Sequence, residues 1–299
     1  MHSPSASSWL SVRVIGTLCG VAAALCWAAG FVAAKHGLSI GLTPMDLAFH
    51  RFVWSGLFLL PGLLRLGMAD LGGAGWSRGL TILVLAGPLQ AITSYSGFTL
   101  APLGHGAVIH PAAATLGGLL LATLVLKEPL SRARLFGVIA IVGGLVVFAG
   151  EAVTSIGLHA LGGDSLFASA GLMWAVFTLC LRRWGMNGMH AAAIVGALSL
   201  LIYAPAHALI FGFGTMVAAG WMENLIQLAV QGVFAGLLAL FLFARSVSAL
   251  GAGRASTFPA LVPGLTMLIG FIALGEIPTP MQLLGLAIVV VGFRFAMKP

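Results

Sequence analysis

Polar side chains set inside apolar stretches are the residues of this chain best placed to do chemistry. Gln90, Ser94 and Tyr95 fall in one such stretch, His110 in the next, and Gln231 in a third far down the chain. Polar groups in a bilayer interior usually face the other helices of a bundle. There they either bond between helices or meet a polar solute. Trp27, Trp174 and Phe258 add aromatic surface. An indole placed mid-helix, away from the headgroup belt, packs against lipid or lines a cavity. The chemistry on offer is binding. No Asp or Glu lies near the middle of any apolar run, so a carboxylate proton relay has no carrier. His110 is the one mid-span titratable group, and a single histidine in an apolar wall acts as a hydrogen-bond donor or acceptor. His105 falls in the turn before it, and the two lack the i,i+4 spacing of a metal pair. Gly251-Ala-Gly253 has no strand before it to make a dinucleotide fingerprint. Neither a metal nor a cofactor is expected.

The elements that must position these groups follow from composition. Hydrophobic residues make up 60% of the 299 and charged residues only 7%, with a mean hydropathy of +1.10. Soluble domains carry about 25% charged residues, so this chain belongs in lipid. The runs are continuous rather than alternating, which points to helices and away from a barrel. The net charge of +7 comes from basic residues scattered singly between runs. They read as topology signals and not as a nucleic-acid stripe. Cys19, Cys26 and Cys180 lie within apolar runs, so no disulfide framework is expected.

From Gly79 to Leu126 the chain carries no Asp, Glu, Lys or Arg. That is too long for one crossing of a hydrocarbon core of about 30 Å, so the chain must turn back, at Ala101–Gly106. Spans are expected at roughly 14–34, 44–64, 80–98, 103–126 and 135–149, then 165–181, 189–213, 225–243, 255–274 and 281–295. With the N-terminus inside, only Lys35 and Arg51 of the 14 basic residues fall on the outer side. His50 and Arg51 open span 2, where they can snorkel.

Residues Ala101–Gly144 recur without a gap as Ala249–Gly292, aligning Pro111 with Pro259, Glu128 with Glu276, Gly137 with Gly285 and Gly144 with Gly292. The chain is two copies of one unit. Five spans per copy is an odd number, so the second copy enters the membrane upside down. The fold class expected is an all-α integral membrane protein of ten transmembrane helices in two inverted five-helix repeats. The division is a cytoplasmic head over 1–13, a first repeat over 14–150, an external connection over 151–164 and a second repeat over 165–299. Pro111 and Pro259 break the helical ladder at equivalent positions and serve as hinges. Glu128 and Glu276, followed by Pro129 and Pro278, end their spans as caps or ion-pair partners. The repeated glycines, and Gly16 with Gly20, allow close helix packing.

The series Pro111, Glu128, Gly137, Gly144 and its echo, with Trp27 in span 1 and Arg51 opening span 2, resembles the drug/metabolite transporter superfamily. The resemblance covers nearly all of residues 14–297 and is to its ten-helix exporters, most like the bacterial aromatic amino acid exporters. It implies that spans 1–4 and 6–9 surround a cavity, that spans 5 and 10 lie outside it, and that the transport unit is a monomer. The span-1 glutamate of the small four-helix multidrug antiporters has no counterpart in Ala24–Gly30. The function expected is export of amino acids across a bacterial inner membrane, broad in specificity, favouring aromatic or apolar side chains, by facilitated diffusion. Trp27, Tyr95, Trp174 and Phe258 would take the side chain, and Gln90, Ser94, His110 and Gln231 the zwitterionic end. The partners expected are the small-molecule substrate and the lipid bilayer. Efflux of hydrophobic drugs or another metabolite, proton-coupled, is the alternative. So is a non-transporting subunit, although a scaffold needs no inverted repeat.

Overall fold

In lipid every backbone polar group needs a partner within the chain, and a helix supplies one locally. The computed structural model describes residues 6–127, 131–155, 158–250, 255 and 258–296, and among these there is no strand. The chain forms α1 (Ala6–Ser39), α2 (Pro44–Leu66), α3 (Trp76–Ala86), α4 (Pro88–Leu100), α5 (Leu103–Val125), α6 (Arg132–Ser155) and α7 (Leu158–Trp184). Then come α8 (Gly188–Ile210), the short α9 (Gly214–Ala219), α10 (Trp221–Leu250), α11 (Val262–Leu274) and α12 (Pro280–Ala296). Among the described residues seven stretches are long and apolar enough to cross a membrane, with α3 and α4 together counting as one; α11 and α12 are apolar but shorter.

Proline sets two of the three irregularities. Pro88 has no N–H and crowds the carbonyl four residues back, so the expected third span breaks at Gly87 and restarts as α4. Within α8, Pro205 removes the donor that the Leu201 carbonyl would use. The preceding residues Ser199–Tyr203 widen into a π turn, with the Ala204 N–H closing on the Ser199 carbonyl. A longer π-helical stretch, Leu228–Leu238, lies inside α10 and carries Gln231.

Several boundaries differ from the expectations. α1 begins at Ala6, inside the expected head. The connection expected over 151–164 is largely helical, since α6 runs to Ser155 and α7 starts at Leu158. Gly163 reads as a breaker but works as a contact: an added Cβ would lie 2.9 Å from the Gly97 carbonyl oxygen, where α7 meets α4. His105, expected in a turn, lies in the first turn of α5. Pro259, expected inside a helix, lies in a 3-10 turn, Phe258–Leu261, ahead of α11. Pro259 and Pro263 both lack the N–H that an α-helical ladder would need there. Glu128, Pro129 and Gly251–Gly253 lie outside the described residues.

Glycines set the helix crossings. A Cβ on Gly144 would meet the Gly285 carbonyl oxygen at 2.9 Å, and one on Gly292 would meet that of Gly137, also at 2.9 Å. Between them Gly144 faces Val289 and Gly292 faces Ile141. The register falls on one helix as it rises on the other, so α6 and α12 run antiparallel. Each contact has its repeat-equivalent, as across a two-fold axis. Ile141 and Val289 are buried at the crossing, next to Val108 and Ala112 of α5 and Met267 of α11. α2 is similarly held, by Gly56 against Gly196 of α8 and by Gly232 and Gly236 of α10, which lie close to the His50 and Arg51 carbonyls. Gly16 and Gly20 of α1 receive Leu250 and the Phe258 ring.

Gly144→Ile forces backbone apart and should lower the unfolding free energy by about 1–3 kcal/mol. Gly143→Ile, directed into open space, should be near neutral. Thermal melts in detergent distinguish them, and equal effects would contradict the crossing.

Candidate functional site

Four helices bring polar side chains together below the Lys35 end of the bundle, and α1 adds a backbone carbonyl. Arg51 lies about two turns into α2 from Pro44, roughly 10 Å along the helix axis. Gly30 of α1, Tyr95 of α4, His110 of α5 and Gln231 of α10 lie at comparable depths. Tyr95 donates its hydroxyl to Gln231 Oε1 at 3.1 Å, and Gln231 Nε2 donates to the Gly30 carbonyl at 2.8 Å. One turn away, Gln227 Nε2 donates to the Ala33 carbonyl at 2.9 Å and to Glu223 at 2.8 Å. Gln227 and Gln231, at i and i+4 on one face, thus tie α10 to α1 through carbonyls of the helix interior.

Gln90 Nε2 lies 3.1 Å from His110 Nε2 and donates to the Ala170 carbonyl of α7 at 3.3 Å. With the Gln90 amide donating, His110 accepts at Nε2 and carries its proton on Nδ1. The Phe31 ring stands edge-on, 6.0 Å from His110 and 5.9 Å from Phe98. Arg51 reaches into the same space. Its guanidinium is within interaction range of the Tyr95 hydroxyl and the His110 ring. A Cβ on Gly30 would lie 3.7 Å from Arg51 Nη1 and 3.5 Å from Gln231 Oε1.

Of the residues expected from sequence, Gln90, Tyr95, His110 and Gln231 therefore meet. Ser94 is one turn from Gln90 on α4 and buried, with no hydrogen-bond partner for its Oγ. Pro111 follows His110 directly within α5. The aromatic residues lie apart from the cluster. Trp27 stacks on Phe243 at 5.4 Å, Phe258 packs on Gly20, and Trp174 rests on Phe177 with 40% of its surface exposed. Arg51 and Phe31 were not expected in the site. Phe31 lies one turn beyond Trp27, a spacing that could have revealed it. Arg51 was counted as an end-of-helix charge.

Above the cluster the Lys35 end is closed by charges placed on helix termini. Lys35 Nζ donates to the Phe98 and Ala101 carbonyls at 2.8 and 3.1 Å, at the C-terminus of α4. Glu276 Oε2 accepts the Leu103 N–H at 3.2 Å, at the N-terminus of α5. Each charge has the sign its helix end favours. The two side chains border a cavity of about 520 Å³ that also contacts Thr279 and Gln282. His105 Nδ1 meets Asp164 of α7 at 2.7 Å, and His207 of α8 lies 3.3 Å from Asp46 of α2. Asp46 also accepts from Thr43, capping α2, and from Thr215 at 2.7 Å. Among the described residues no group of three His, Cys, Asp or Glu side chains is placed to hold a metal.

Gln231→Leu strips the acceptor from a buried tyrosine hydroxyl and the donor from the Gly30 carbonyl. It should lower stability by about 1–3 kcal/mol, and Tyr95→Phe by about 0.5–1.5 kcal/mol. Detergent melts of the two variants test that order, and the reverse order would contradict the network.

The comparisons with known proteins agree with this architecture. Over 273 residues the chain is 24% identical to an uncharacterized transporter of Archaeoglobus fulgidus, covering 90% of this chain and 92% of the relative. It is 24% identical over 180 residues to the uncharacterized transporter YyaM of Bacillus subtilis, covering 58% of this chain and 57% of that one. A crystal structure 18% identical in sequence shares the fold with a TM-score of 0.64, over 94% of this chain and 96% of the other. The family model for EamA-like transporters matches twice, over residues 14–150 and 161–297. The chain is therefore a multi-pass membrane protein with two tandem repeats, and it belongs to the EamA-like transporter family of the drug/metabolite transporter superfamily.

Proposed function

We propose that the chain exports amino acids across a bacterial inner membrane, favouring aromatic and apolar side chains, by alternating access between two inverted five-helix repeats. The observation that carries this reading is the polar cluster. Gln90, Tyr95 and His110 come from the first half and Gln231 from the second, so a solute held there touches both. In inverted-repeat transporters the site lies near the midplane between the halves. The antiparallel, reciprocal crossing of α6 and α12 supports the inversion.

Ten crossings follow if α6, α11 and α12 are counted with the seven long spans. The 13 residues of α11 rise about 20 Å, and the four-residue 3-10 turn before it adds about 8 Å, close to a hydrocarbon thickness. With both termini cytoplasmic, the Lys35 end is the outer one, closed by Lys35 and Glu276. Gln90, Ser94, His110 and Gln231 hold the polar end of the substrate. Trp27, Tyr95, Trp174 and Phe258 offer aromatic surface along its path. The unit is a monomer working within the lipid bilayer.

His110 is the cluster's only imidazole, and the described carboxylates all lie toward helix ends. Transport therefore runs down the substrate gradient. Proteoliposomes given radiolabelled amino acids, with and without an imposed pH difference, should show counterflow of phenylalanine, tryptophan and leucine but no accumulation driven by the pH difference. Failure of every amino acid tested would refute the substrate. Accumulation driven by the pH difference and lost in His110→Ala would refute the uncoupled mechanism.

Pro111 and Pro259 are the hinges, at repeat-equivalent positions. Pro111→Ala restores a backbone donor beside His110 and should slow counterflow several-fold while leaving the protein folded. Unchanged rates in both Pro111→Ala and Pro259→Ala would count against hinges.

A further inference from the structure

Among the described residues the guanidinium of Arg51 has no counter-ion. Five carboxylates lie among the described side chains; four are engaged elsewhere and the fifth is remote. Asp46 is held by Thr43, Thr215 and His207, and Asp164 by His105. Glu223 is held by His36 and Gln227, and Glu276 by the α5 N-terminus. Asp70 lies in the link between α2 and α3, at the opposite end of the bundle. No ion pair to Arg51 exists among the described residues.

The groups the structure places beside it carry no negative charge. They are Tyr95 from α4, His110 from α5 and Gln231 from α10, with the Gly30 carbonyl of α1 already taken by Gln231. On α2 itself the Phe52 ring lies 6.0 Å from the guanidinium carbon. His50, the adjacent residue, is satisfied by Trp54 and Asn224 and looks away toward α10. A guanidinium presents five donors in a planar fork, and these partners use few of them. A buried charge left uncompensated is costly. It is retained where an anion arrives to complete it.

We infer that Arg51 is the anchor for the carboxylate of the transported solute. The inference deepens the reading of the cluster as the substrate site and rests on it. A carboxylate accepts two parallel bonds from the Arg51 fork, and the Tyr95 hydroxyl and the unpaired Ser94 Oγ lie on the adjoining helix. The same cluster offers an ammonium group only neutral acceptors, since no carboxylate shares the space. The site therefore selects apolar carboxylates as a class. The α-amino group of an amino acid is tolerated and not required, and apolar cations are excluded.

The test is calorimetric titration of the full chain in lipid nanodiscs with four ligands sharing one ring: L-phenylalanine, 3-phenylpropionate, benzoate and phenethylamine. The acids should bind, with phenylpropionate within about threefold of phenylalanine, and phenethylamine at least about tenfold more weakly. Arg51→Gln should erase that preference, and Arg51→Lys, which keeps charge without the fork, should lose part of it. Size-exclusion profiles and melts establish that each variant is folded, and the wild-type ligand series is decisive without them. Phenethylamine binding as well as the acids, or an acid preference surviving Arg51→Gln, would overturn the inference. Binding of phenylpropionate and benzoate without any amino acid would leave Arg51 as the anchor and refute amino acids as the cargo. No binding by any acid would overturn both.

Discussion

A hydrocarbon environment gives polar groups no partner but one another, and that constraint shapes this protein at each scale. Backbone groups are satisfied by making nearly everything helical. At two prolines the chain leaves α geometry, widening into a π turn before Pro205 and tightening into a 3-10 turn around Pro259, while Pro61 and Pro111 stay within α-helices. Side chains obey the same rule. Gln227 and Gln231 share carbonyls of α1 that are already helical, and Gln90 shares one of α7. Charges at the Lys35 end sit on helix termini of the sign that suits them. Arg51 is the exception: with no counter-ion among the described residues, it gives the cluster a positive potential in a medium that screens little.

Packing between helices has a second source. Lipid tails give apolar side chains little reason to prefer one another, so close approach of backbones must supply contact. Glycine does this at α6–α12, α2–α8 and α2–α10. The α6–α12 crossing has reciprocal contacts because both helices carry the same spacing, Gly137 with Gly144 and Gly285 with Gly292. α2, which carries Arg51, is held by glycine contacts to both α8 and α10.

Much of this was legible in the sequence, and the reasons for the misses are specific. The repeated glycines could be read because identity at a fixed offset does not depend on tertiary context. Gln90, Tyr95, His110 and Gln231 could be read because amides, a phenol and an imidazole inside apolar runs have few places to go. Their pairing could not, since Tyr95 and Gln231 meet across both halves. Arg51 was misread because the positive-inside rule treats a basic residue near a span end as a topology signal, while depth along α2 and the path of its side chain decide whether it points inward. Gly163 was taken into the connection because the composition of a loop and of a tight helix contact is alike. The Asp46–His207 pair was hidden by distance along the chain. Trp174 was chosen for its mid-helix place and Phe258 for residue type, and in the fold Trp174 rests on Phe177 and Phe258 on Gly20.

We propose that the two halves move against each other around the Arg51 cluster, opening one end as the other closes. Double electron–electron resonance tests it directly, with the three native cysteines replaced. One spin-label pair at the exposed residues Ile40 and Ile277 reports on the Lys35 end, and a second at Leu124 and Ser248 reports on the opposite end. Adding L-phenylalanine in nanodiscs should shift the two distance distributions in opposite senses. Distances that stay fixed, or that lengthen or shorten together, would contradict alternating access.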